Sequence, residues 1–310
     1  MERKLSRIGI GLLAAAALGV AVLGWRRSRK ESPEPRIGRF ANGVEYASWG
    51  EGPRTLLWLQ GGPGSDVPRG GSARLAASRF QAFLDDGYTV WSFTRRRNMP
   101  AGHTVADMAG DVAEVIREEF GRVDVVVGLS FGSLIAQYLA AEHADLVERV
   151  VLALSGVRAT PEVTDIDLRW AEARATGRLD EAGAVFLEYF LPGGRWDRVR
   201  RRLGPWAGRM FADEETPAGD LRLEARVEAA FDSRDVLPRI GVPVLLLAAG
   251  KDRAFTPEIV AETEALIPDC TVVRYEGKGH VGAAMSGRVP ADVVAWLHAP
   301  VPRGASRVDA

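Results

Sequence analysis

A serine hydroxyl is a poor nucleophile until a neighbouring base takes its proton and the backbone presents it to a substrate. Ser130 stands in such a setting. Gly128-Leu129-Ser130-Phe131-Gly132 follows the apolar run Val123 to Val127 and leads into LIAQYLAAEH, a helical stretch. A Ser on a very tight turn between strand and helix is held in a strained backbone conformation. Residues two before and two after it must be small so that the two arms can pass closely. The helix then directs backbone N–H groups and the positive end of its dipole at the point where a carbonyl oxygen would gain charge. The five-residue pattern alone is weak. The strand before it and the helix after it make Ser130 a nucleophile candidate rather than a helix-capping turn residue.

The elements that must hold this turn alternate along the chain. Val44 to Trp49 and Thr55 to Gln60 read as strands joined by Gly50-Glu51-Gly52-Pro53, a spacing that predicts an antiparallel pair. Tyr88 to Phe93 is a short apolar run, Thr104 to Phe120 a helix, and Val150 to Leu154 the strand after the Ser130 helix. Short strands apolar on both faces, alternating with helices, predict a mostly parallel central sheet with helices on both faces. The alternation stops between about Gly156 and Leu237, where helical patches rich in Trp, Phe and Arg contain no convincing strand. It resumes with Val242 to Leu247, helix Pro257 to Ile267, strand Thr271 to Tyr275 and helix Ala291 to His298. The expected organisation is an α/β core over 37–155 and 236–299 with a helical cap over 156–235. Such a cap would cover the carboxyl edge of the sheet, where open parallel sheets bind ligands.

Composition fits a globular enzyme-sized domain. The 310 residues are 46% hydrophobic and 26% charged, ample for a packed core. A formal net charge of −1 leaves no electrostatic footprint for nucleic acid. Cys270 is the single cysteine, so no intramolecular disulfide forms, and it reads as a small apolar residue at a strand edge.

From Ile37 to His298 the chain resembles the α/β-hydrolase superfamily, with the family's order of Ser, acid and His. Three further segments carry the resemblance. Leu59-Gln60-Gly61-Gly62-Pro63-Gly64 is similar to the family's HGGPG oxyanion loop, which implies the N–H of Gly62 as one oxyanion donor and that of Phe131 as the other. Gln60 stands where the family has His. The donor is a backbone amide and is retained, while the hydrogen bonding behind it changes. Val242 to Leu247 leads to Gly250-Lys251-Asp252, which implies Asp252 as the acid. Gly277-Lys278-Gly279-His280 follows the last strand and implies His280 as the base. The other histidines, His103, His143 and His298, lie before or on helices. The implied chemistry is two-step acyl transfer needing no cofactor and no metal. Ser at the nucleophile position argues against an epoxide hydrolase or a dehalogenase.

Three functions follow from this reading. The first is a hydrolase of carboxylic esters of lipophilic small molecules. The second is an aminopeptidase similar to proline iminopeptidases, which would need cap acids to grip an amine; Glu181, Glu188, Asp213, Glu214 and Glu215 are the candidates. The third is a catalytically silent binding protein on the same fold. The cap aromatics, Trp170, Phe186, Tyr189, Phe190, Trp196, Trp206 and Phe211, read mainly as the cap's own core, with a few lining an acyl pocket. Arg95-Arg96-Arg97 suggests an anion contact near the active edge.

The N-terminus predicts a membrane signal. Ile8 to Trp25 runs without a charge between Arg3, Lys4 and Arg7 on one side and Arg26, Arg27, Arg29 and Lys30 on the other. As a helix it would span about 27 Å, near the thickness of a hydrocarbon core. The expectation is a single N-terminal anchor through residues 8–25, its orientation open, within a segment 1–30 joined by linker 31–36. A secretory signal cleaved near Gly19-Val20-Ala21 is the alternative.

Overall fold

A computed structural model describes residues 34–212 and 215–299. Its strands are β1 (Arg36–Arg39), β2 (Glu45–Trp49), β3 (Arg54–Leu59), β4 (Tyr88–Phe93), β5 (Val123–Leu129), β6 (Val147–Ala153), β7 (Val244–Ala249) and β8 (Cys270–Tyr275). They form one eight-stranded sheet in the order β1-β2-β4-β3-β5-β6-β7-β8. β1, β2 and β4 pair antiparallel, and from β4 across β3 to β8 every pairing is parallel.

The helices that follow the strands are α1 (Gly70–Asp85), α2 (Val105–Val115), α3 (Phe131–Glu142), α8 (Pro257–Leu266), α9 (His280–Ala284) and α10 (Arg288–His298). Between β6 and β7 lie α4 (Pro161–Ala175), α5 (Leu179–Phe186), α6 (Asp197–Gly208) and α7 (Ala218–Ala229). β5 through β7 are buried on both faces because helices cover both sides, which is why they read as continuous apolar runs. One face packs Val126, Val150 and Leu246 against α2, α3 and α8. The other packs Val125, Val151 and Leu245 against Ala77, Phe80 and Phe83 of α1 and Val289 and Val293 of α10. The insert has a separate core of Ile166, Trp170, Ala182, Val185, Phe211, Leu221 and Ala225. Local signals start the helices: Thr104 caps α2 through a reciprocal pair with Asp107, and Pro161 and Pro257 open α4 and α8.

Two expectations are corrected. β2 and β3 are neighbours in sequence but do not pair, because β4 lies between them, antiparallel to β2 and parallel to β3. β4 is nearly all buried and takes a strand on each side, and Gly52 turns so tightly against the start of β4 that a Cβ on it would lie 2.0 Å from Gly87 O. The second correction concerns the membrane anchor and the localisation read from it. Among the described residues no helix is long and apolar enough to cross a membrane. The longest of the helices given above, α1, has 16 residues and an apolar side facing the core, against about 20 needed to span a bilayer. The segment expected to anchor the chain, residues 8–25, lies outside the described residues.

Candidate active site

Four loops at the carboxyl edge of the sheet meet around Ser130. The nucleophile turn joins β5 to α3, and Ser130 adopts φ 51° and ψ −118°, a region that non-glycine residues rarely occupy. The small residues around it are required by contact. A Cβ on Gly132 would lie 2.2 Å from Leu59 O, and one on Gly128 would lie 2.5 Å from Gly132 O. Ser130 N donates to Ala153 O at 2.9 Å, which fixes the turn to the neighbouring strand. Phe131 is the first residue of α3, so its N–H has no acceptor within the helix.

The three side chains singled out from sequence come together. His280 Nε2 is 3.0 Å from Ser130 Oγ, and His280 Nδ1 is 2.7 Å from Asp252 Oδ2. Asp252 follows β7 and is buried, with its other oxygen accepting from the N–H groups of Ala254 at 2.8 Å and Phe255 at 3.2 Å. These bonds fix the carboxylate and hold Oδ2 toward the imidazole. His280 opens α9 and packs on the Phe255 ring, centroids 5.8 Å apart. The remaining histidines are engaged elsewhere: His103 with Asp111, His143 with Arg117, and His298 with Asp86.

The glycine loop after β3 runs against this turn. A Cβ on Gly61 would sit 3.4 Å from Ser130 Cβ, and Gly62 lines the same cavity as Ser130 and His280. Gln60 ties the loop back by donating to Asp66 O and Ser92 Oγ, both at 3.1 Å. The loop is also held by a residue whose role the sequence did not reveal. Arg95 is buried and donates to Gln60 O at 2.9 Å and Gly64 O at 2.6 Å. Its Nε lies 2.8 Å from Glu224 Oε1 on α7, and Glu224 Oε2 accepts from Gly64 N at 2.6 Å. The guanidinium also rests 4.6 Å from the Phe131 ring centroid. The anion contact expected of Arg95-Arg96-Arg97 is therefore taken up internally. Arg95 pairs with Glu224, Arg97 with Glu45 and Asp66, and Arg96 with Asp111.

Above the turn lies a cavity of about 260 Å³, floored by Gly62, Ser130 and His280 and walled from the insert by Trp170, Phe186, Tyr189 and Phe211. Trp170 and Phe211 belong to the insert's core while also facing the cavity; Phe190, Trp206 and Met210 are exposed instead. Two acids that sequence reading missed, Asp167 on α4 and Glu228 on α7, complete the wall. Burial pushes the Asp167 carboxyl up to about 7, against the hydrogen bond it accepts from the Tyr189 hydroxyl. Burial, reinforced by Asp167, pushes Glu228 well above the usual carboxylate range. Of the acids read from sequence as amine-gripping candidates, the described ones, Glu181, Glu188 and Glu215, do not line the cavity. Glu181 pairs with Arg178 and Glu188 with Arg169, Glu215 is exposed, and Asp213 and Glu214 lie outside the described residues.

The profile of the alpha/beta hydrolase family matches residues 56–296. A pimeloyl-[acyl-carrier protein] methyl ester esterase of Neisseria meningitidis serogroup A is 33% identical over 144 residues, 44% of each chain. A second such esterase, from Vibrio vulnificus, is 23% identical over 181 residues, 54% of this chain and 67% of its own. The chain thus matches less than half the length of the Neisseria relative. Among solved structures, the enol-lactonase of Burkholderia xenovorans LB400 superposes with TM-score 0.63 at 22% identity over 85% of this chain and all of its own. An esterase of Exiguobacterium antarcticum superposes with TM-score 0.61 at 18% identity, over 85% and 99%. At these identities the structural likeness speaks to the fold. With the strand order, the serine turn and a profile match over most of its length, the chain belongs to the alpha/beta hydrolase family.

Proposed function

We propose that Ser130, His280 and Asp252 form the catalytic triad of a serine hydrolase that cleaves carboxylic esters of lipophilic small molecules. The observation that carries this reading is the unbroken hydrogen-bond path from Asp252 through His280 to Ser130 at the floor of an aromatic-walled cavity. In this reading His280 Nε2 removes the Ser130 proton as Oγ attacks the ester carbonyl. Asp252 holds Nδ1–H and stabilises the imidazolium. The N–H groups of Gly62 and Phe131 receive the oxyanion, each donor contributing about 3 kcal/mol. The tetrahedral species collapses as His280 gives its proton to the departing alcohol, and water then repeats the sequence to release the acid. Residues 156–235 act as the cap that closes the cavity. The ester and lactone chemistry in the names of the similar proteins favours esters over peptides.

The test is a series of p-nitrophenyl esters of increasing acyl length. The expected result is hydrolysis with a burst of nitrophenol, abolished in Ser130→Ala. Undiminished turnover by Ser130→Ala would overturn the assignment. A folded chain inert to every ester would favour the binding-protein alternative.

A further inference from the structure

Helix α7 carries three buried acids one turn apart, Asp220, Glu224 and Glu228. The first two are matched. Asp220 accepts from the N–H groups of Asn98 and Met99 at 2.8 and 2.9 Å, and Glu224 holds Arg95 and Gly64 N. The third is not. Glu228 is 4% exposed, lines the cavity, and its Oε2 has no hydrogen-bond partner among the described residues. Asp167, 5% exposed, shares the same wall. Asp167 and Glu224 oppose ionisation of Glu228, and Arg95 favours it. Arg95 is already engaged by Glu224 and two backbone carbonyls. One cavity wall therefore carries two buried carboxyl groups, and one of their oxygens lacks a hydrogen-bond partner among the described residues.

The rest of the wall suits a cation. Aromatic faces attract positive charge, and those of Trp170 and Phe211 already take one: the Arg174 guanidinium lies 5.2 and 5.5 Å from their centroids. Among the described residues no group of three or more His, Cys, Asp or Glu is arranged to hold a metal. A hydroxyl would supply a donor to Glu228 but no charge. A quaternary ammonium would supply charge but no N–H. A protonated primary or secondary amine supplies both.

We propose that the cavity binds an ester bearing a protonated amine, the ammonium group seated between Asp167 and Glu228 while the ester carbonyl lies over Ser130. This rests on the serine-hydrolase reading of Ser130. Burial favours the protonated form of both acids, so entry of the ammonium is expected to release protons.

Four methyl esters of one skeleton test the proposal with the full chain: phenylalanine, N,N,N-trimethylphenylalanine, N-acetylphenylalanine and 3-phenylpropionate. At about pH 6.5 the free amine is protonated. The expected kcat/KM for the phenylalanine ester exceeds that for each uncharged ester by about 10- to 100-fold, with the trimethyl ester between. That preference ratio falls at least about tenfold in Asp167→Asn and in Glu228→Gln. Wild-type hydrolysis that treats all four alike, or a ratio unmoved in both variants, overturns the ammonium site and leaves the hydrolase reading standing. Hydrolysis of none of them, with no fluorophosphonate adduct on Ser130, overturns the hydrolase reading and this proposal with it. Calorimetry on Ser130→Ala gives a readout free of turnover and of the acid variants. Phenylalaninol is expected to bind about tenfold or more tightly than 3-phenylpropanol, with proton release, and equal affinities would contradict the site.

Discussion

Asp252 meets His280 through one oxygen while the other is fixed by two backbone N–H groups. An Asn there can keep the fold while donating its amide to Nδ1 and so stabilising the wrong imidazole tautomer. Asp252→Asn is expected to lower kcat/KM on a simple ester by about 10³- to 10⁴-fold with an unchanged circular dichroism spectrum. The glycines of the turn answer to stability instead. Gly132→Ala drives a Cβ to 2.2 Å from Leu59 O, whereas Gly110→Ala in α2 meets nothing within 4 Å. Urea titration should find the first destabilised by about 3 kcal/mol or more and the second stabilised by about 0.5–1 kcal/mol. Ser130, Asp252 and His280 were legible because this chemistry ties residue types to loop positions and chain order. Asp167 and Glu228 were not. Acids four residues apart on a helix read as a solvated face, and only the packing of α7 on the sheet domain turns Asp220, Glu224 and Glu228 inward.

At the scale of elements, α7 and the glycine loop are joined by the Arg95–Glu224 pair, whose side chains are 5% and 1% exposed. Removing one partner leaves the other charge buried alone, so Glu224→Gln should cost about 3–5 kcal/mol in denaturant unfolding and lower kcat by loosening Gly62. Arg95→Met combined with Glu224→Leu should recover most of the stability but not the kcat, which separates packing from positioning. No local pattern announces a pair 129 residues apart. β4 through β7 were legible because strands buried on both faces read as unbroken apolar runs. The failed β2–β3 hairpin marks the limit of that signal: pattern gives a strand and its faces, not its neighbour. α1 was overlooked although Ala73, Ala77, Phe80 and Phe83 fall on one side, because the glycines at its start and its small residues mute the periodicity.

For the whole molecule, the buried wall acids set a dependence of stability on pH. Asp167 titrates near 7 in the folded chain against 3.8 ordinarily, so the folded state keeps a proton that the unfolded state releases between those values. Stability therefore falls as pH rises through that window, and the loss is complete above it. Asp167→Asn keeps an acceptor for the Tyr189 hydroxyl and removes the titration. It should stabilise the chain by up to roughly 4 kcal/mol above pH ~7 and by little near pH ~4, read from urea unfolding at both. Glu228 titrates in the same sense, so its Gln variant should flatten the profile further. In the proposed triad, the contacts running from a buried Asp252 to a strained Ser130 leave one hydroxyl activated. The most direct measurement is peptide mapping after fluorophosphonate treatment of the native chain. The expected result is a single adduct, on Ser130, that forms far more slowly in His280→Ala and is absent in Ser130→Ala. A folded chain that takes up no adduct, or one still labelled without Ser130, would contradict it.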